Sequence, residues 1–170
     1  MNYLIGNKDS FAIEFSVRPE RHSQNLFGWH RLWLGGKYVG AYEDICIFGV
    51  TLNALEYFVK TNINTKSFDG LSKREIYRFI KFEDIPGLGK YWFTPGGDTF
   101  DDFSMVVYSD DETYKFIWKL NRKPFFDYKN YPKKGFQSAE VPIKDFKQVV
   151  EDFGKQLNQL YNEIPILPYP

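Results

Sequence analysis

Residues 103–120 read FSMVVYSDDETYKFIWKL, two alternating runs that meet at a knot of acids. Alternation of period two on both arms predicts an antiparallel hairpin. With a two-residue loop at Asp110–Asp111, Val107 faces Tyr114, Met105 faces Phe116 and Phe103 faces Trp118. Every apolar pair then falls on one side. Tyr108, Thr113, Lys115 and Lys119 share the other side with Val106 and Ile117, a mixture that suits partial cover. The acids of the turn lie about one strand length, roughly 20 Å, from Asp101 and Asp102 at the start of the hairpin.

The remaining chain supplies further elements of both kinds. Phe11, Ile13, Phe15 and Val17 alternate with Ala12, Glu14 and Ser16, predicting a strand that Pro19 ends. Trp29, Arg31 and Trp33 alternate with His30, Leu32 and Leu34, and Gly35-Gly36 then marks a tight turn into residues 37–39. Residues 51–64 space Leu52, Leu55, Phe58 and Val59 as a helix does, with Thr51 as its N-cap. Ser72 and Glu75 form a capping box for a second helix over 72–82, with Ile76, Phe79 and Ile80 inward and Lys73, Arg74, Arg78 and Lys81 outward. The glycine- and proline-punctuated stretch 84–98 predicts a loop with a short strand at Tyr91–Phe93, and 121–136 a second loop. A long final helix runs from about Pro142 to Glu163, its stripe built by Phe146, Val149, Val150, Phe153, Leu157, Leu160 and Tyr161. Three prolines in 164–170 bar that tail from the helix. The expected fold is a single α+β domain over 1–170, a mainly antiparallel sheet carrying two or three helices.

Function classes are bounded next. The 170 residues carry 22 basic and 22 acidic side chains, so a duplex nucleic-acid binder finds no bulk charge to rest on. No apolar run approaches the ~20 residues of a membrane span, and MNYLIGNKDS lacks a secretory start. The expectation is a cytoplasmic protein. Cys46, the only cysteine, lies in the apolar run ICIFGV and reads as a buried thiol. His22 reads as a solvated loop residue and His30 as a surface strand residue; neither stands in a triad or ligand motif. The run DTFDD at 98–102 lacks the ligand alternation of a calcium loop, and GLGK at 87–90 is too short to cradle phosphate. No catalytic residue, metal site or cofactor is expected.

Charge patterning says more. From Glu83 to Glu112 there are eight acids and Lys90 alone against them, whereas from Lys115 to Lys134 seven bases face only Asp127. An acidic surface dotted with aromatics suits a basic protein partner.

Two stretches, IGNKDSFAIEFSV at 5–17 and GWHRLWLGGKYVG at 28–40, followed by the helix after VTLNALEYF at 50–58, resemble immunity proteins of bacterial polymorphic toxin systems, contact-dependent growth inhibition included. That resemblance implies a non-enzymatic protein that binds and neutralises the toxic C-terminal domain of a cognate delivered effector, often a nuclease, by covering its active site or substrate surface. The acids would then stand where a nucleic-acid backbone stands. The expected contacts are Asp98, Asp101, Asp102, Asp110, Asp111 and Glu112, with Tyr108 and Trp92 as anchors. The Lys- and Tyr-rich loop from Arg122 to Lys134 is the other candidate interface. Readings from other classes are a carbohydrate- or small-ligand-binding module using Trp29, Trp33, Trp92 and Trp118, a hydrolase holding a divalent ion on Asp101 or Asp102, and a single-strand RNA binder using 122–134.

Overall fold

The computed structural model describes residues 1–21, 24–83, 85–129, 131–132 and 134–166, and among these eight strands form two antiparallel sheets backed by three helices. The first sheet runs β1 (Asn2–Gly6), β2 (Phe11–Val17), β3 (Phe27–Leu34) and β4 (Lys37–Val39), with β5 (Cys46–Ile47) also paired to β3. The second runs β6 (Phe103–Ser109), β7 (Thr113–Leu120) and β8 (Gln137–Pro142). The helices are α1 (Phe48–Lys60), α2 (Lys73–Phe82) and α3 (Ile143–Glu163). This is the expected α+β architecture, long C-terminal helix included. His22, Asp84, Lys133 and the tail residues 167–170, each named in an expectation above, lie outside the described residues.

Phe11, Ile13, Phe15 and Val17 of β2 are all buried. Phe15 meets Phe48 of α1 and Phe153 of α3 edge-on at 5.3 Å each. Phe146, at the start of α3, stacks on Phe11 at 4.4 Å and meets Phe58, Tyr114 and Phe116 between 5.2 and 6.0 Å. One ring therefore joins both sheets and α1. At the other end of α3, the Arg21 guanidinium donates to the Tyr161 and Ile164 carbonyls at 2.8 and 3.0 Å, a cation where the helix dipole favours one.

The central hairpin forms with its faces as expected and its register shifted. Phe103 pairs with Leu120, Met105 with Trp118 and Val107 with Phe116, so the tip is Asp111–Glu112 rather than Asp110–Asp111. The cause is Asp110: its Oδ1 accepts from the Glu112 and Thr113 amides at 3.0 and 2.8 Å, and its own amide donates to the Thr113 carbonyl. That side-chain turn makes Asp110 a paired residue at the mouth of the loop. The partner changes by two residues, so no side chain changes face.

Other boundaries moved for identifiable reasons. The β3–β4 turn at Gly35 and Gly36 is as read, with φ of 55° and 77°, the double positive φ that favours glycine. Helix α1 begins at Phe48 behind Ile47, three residues before the expected cap, because the Thr51 hydroxyl is committed elsewhere in the core. The capping box of Ser72 and Glu75 is present at α2, whose buried stripe is Ile76, Tyr77 and Ile80, leaving Phe79 37% exposed. The short strand expected at Tyr91–Phe93 reduces to a 3-10 turn over Leu88–Tyr91 and a single bridge between Trp92 and Val106.

Truncating the hub side chain, Phe146→Ala, is expected to cost about 3–5 kcal/mol of unfolding free energy, read from urea denaturation.

Candidate partner-binding surface

The acids that the sequence groups together separate into three environments. Asp102 is buried, 2% exposed, and its two carboxylate oxygens accept from the backbone amides of Phe125 and Phe126 at 2.7 and 3.0 Å. It pins the loop after β7 and has no face left for a partner, which corrects its expected role as a contact. At the hairpin tip, Lys115 bridges to Asp110 at 3.0 Å, a hydrogen bond that holds that carboxyl below its usual range. Asp111 accepts from the Asn64 amide at 2.6 Å, and Lys144 and Lys147 line the same hollow as Asp111 and Glu112. Positive charge already tempers the tip.

The third environment is different. Asp98 and Asp101 are exposed at either end of a 3-10 turn, and they lie beside Asp44, which sequence reasoning missed. Partial burial, and then the charges of Asp98 and Asp101, push the Asp44 carboxyl above its ordinary value. Among the described residues, no lysine, arginine or histidine forms an ion pair with any of the three. Ile45 and Val50, each 44% exposed, stand beside them, and Val50 packs on Gly96 so closely that a Cβ there would lie 3.0 Å from its Cγ1. Exposed Ile45 and Val50 thus belong to the same segments as three carboxylates that form no ion pair among the described residues, with Lys81 lining one hollow beside Asp101.

Two rigid clamps hold the segments that carry this patch. Thr99 and Ala41 exchange hydrogen bonds, with the Thr99 hydroxyl donating to the Ala41 carbonyl at 2.7 Å and the Ala41 amide donating to the Thr99 carbonyl at 2.8 Å. Beneath them runs a buried chain of side chains. The Thr51 hydroxyl reaches the Gly96 carbonyl at 3.3 Å and shares a hydrogen bond with His30 Nε2 at 2.9 Å, and His30 Nδ1 shares one with the Cys46 sulfur at 2.6 Å. Burial holds the imidazole down to about 3 and drives the thiol up to about 12, so the chain is neutral at physiological pH. His30 is therefore interior, not a surface residue: strand alternation places it with Leu32 and Leu34 on the core face of β3. Cys46 is buried as read.

The aromatic anchors are mostly engaged. Trp92 is 48% exposed, but its indole N–H donates to the Ile80 carbonyl at 3.1 Å and the Lys81 ammonium sits 4.1 Å from its ring. Tyr108 lies half-buried, edge-on to Phe68, near the hairpin tip and away from Asp98. Trp118 is fully buried and Trp33 lies under Lys8 and Arg31, which leaves little open stacking platform for a sugar. In the basic loop, Tyr128 and Tyr131 pack on Phe103 rather than facing solvent, while Phe125 is 85% exposed. The described residues contain no group of three His, Cys, Asp or Glu side chains that could hold a metal ion, and Asp102 does not converge with Asp101 on one.

The family model for immunity protein 42 matches residues 1–156. The chain belongs to the immunity protein 42 family. The resemblance carried by residues 5–58 thus holds at the level of the family. Among solved structures, CdiI from Burkholderia dolosa AUO158 is similar with a TM-score of 0.61 over 91% of this chain and 99% of that one, at 17% identity. That likeness speaks for the fold. No curated protein matches the sequence. No helix among the described residues is long and apolar enough to cross a membrane.

Asp102→Ala is expected to strand the Phe125 and Phe126 amides and cost about 1–3 kcal/mol of stability. Amide exchange should quicken in 124–131 while Asp98 and Asp101 keep their environment; unchanged exchange there would contradict the pinning role.

Proposed function

We propose that this immunity-family protein acts in the cytoplasm, where it binds the toxic C-terminal domain of a cognate delivered effector and neutralises it. The observation that carries the proposed contact surface is the unpaired Asp44, Asp98 and Asp101 trio around Ile45 and Val50. Three like charges that form no ion pair among the described residues repel one another, and a basic partner relieves that repulsion on binding. Ile45 and Val50 supply the apolar centre that a stable interface needs, with the acids as its charged rim.

A toxin that grips phosphates carries the complementary basic cleft, so the proposed target is a nuclease domain whose substrate surface the acids occupy. Asp110, Asp111, Glu112 and Tyr108 contribute less in this reading, because Lys115 and Asn64 already engage the tip. Trp92, held against Ile80 and Lys81 of α2, is a peripheral contact in this reading.

Co-expression with the toxin domain tests this. Combined Asp44→Lys, Asp98→Lys and Asp101→Lys substitutions should abolish growth protection and weaken toxin binding by about 100-fold or more. Asp111→Lys with Glu112→Lys should leave protection near the native level. Full protection by the first variant would remove this patch from the interface.

A further inference from the structure

On another part of the surface lies a groove of about 510 Å³ between α2, β7 and the approach to β8. It is lined by the cations Arg74, Arg78 and Lys119 and by the rings of Tyr77, Phe82 and Phe136. Tyr77 and Phe136 meet at a tilt of 52° with centroids 4.7 Å apart, and the Lys119 ammonium sits 5.1 Å from the Tyr77 ring. Among the described residues, no carboxylate lines the groove and none of the three cations has an ion-pair partner. Lys115, four residues before Lys119 on the same strand, does have one in Asp110. Phe82 is 72% exposed, a large apolar ring left in solvent at the edge of the cations.

The spacing selects the ligand. Arg74, Arg78 and Phe82 follow one another at four-residue steps along α2, about 6 Å of axial rise per step. In an extended chain, alternate side chains on one face recur at nearly the same interval, about 6.6 Å. We propose that this groove binds an acidic extended peptide segment of the pattern acid-x-acid-x-aromatic. The two carboxylates sit on Arg74 and Arg78, with Lys119 adding to the field. The aromatic ring packs between Phe82 and Phe136. Forked guanidinium–carboxylate pairing and cation–aromatic contact supply the recognition. Three cations in so short a groove neutralise too few phosphates to hold a nucleic-acid strand on a protein of zero net charge, which favours the peptide. The groove is a different hollow from the one that Asp101 borders, and its proposal does not depend on the toxin reading.

Titrating ¹⁵N-labelled protein with the blocked peptide Glu-Ser-Glu-Ser-Phe tests it. Shift changes should map to residues 74–82, 119 and 135–136, and the combined variant Arg74→Glu, Arg78→Glu should weaken binding at least about tenfold with the melting temperature unchanged. The peptide with Lys in place of both Glu should leave the spectrum still. Absence of shifts at millimolar peptide, shifts centred elsewhere, or tighter binding of oligothymidylate in the same groove would each overturn the proposal.

Discussion

The structure hangs on the ring of Phe146. It is fully buried in the first turn of α3, stacked on Phe11 of the first sheet and packed against Phe116 and Tyr114 of the second. Phe93, from the crossing segment before the hairpin, closes on the same ring at 6.4 Å. Neither sheet is large, and each buries one face only if something shared fills the space between them. Aromatic rings do this with few rotatable bonds and much area, so the chain's richness in Phe is a packing requirement of its two-sheet design. With that centre fixed, polar irregular segments can be carried at the rim without losing their shape.

The rim is where function is proposed to reside. The segments at 41–46 and 96–101 carry little regular structure of their own and are tied together by Thr99 and by the Cys46–His30–Thr51 chain that ends on the Gly96 carbonyl. Neutral buried hydrogen bonds thus position charged exposed groups. A preformed acidic patch loses less entropy on binding than a floppy one, which is the property a neutralising partner needs. The same molecule keeps unpaired cations around the α2 groove, so its zero net charge conceals two surfaces of opposite sign.

Much of this was legible in the amino acids. The hairpin, β2, the β3–β4 turn, α2 with its capping box and the span of α3 all follow from strong local periodicity and turn chemistry. What failed depends on tertiary context. β1 and β8 flank their sheets, and β8 buries only Ala139 and Val141 fully, too few for a pattern. Thr51 looked like a cap because its hydroxyl suits one, but a buried histidine claimed it. Asp102 is indistinguishable from Asp101 in sequence; only the fold turns one inward onto two amides and leaves the other in solvent. Asp44 could not have been grouped with Asp98, since more than fifty residues separate them and tertiary contacts such as the Ala41–Thr99 clamp bring their loops together.

Calorimetry of the wild-type protein against the C-terminal domain of its proposed cognate effector, at low and at high salt, addresses the central claim most directly. The account predicts a one-to-one complex of nanomolar affinity that weakens markedly as salt rises, because unpaired carboxylates meet a basic surface. Absence of binding would contradict toxin neutralisation itself, and tight binding indifferent to salt would contradict the acidic patch as its means.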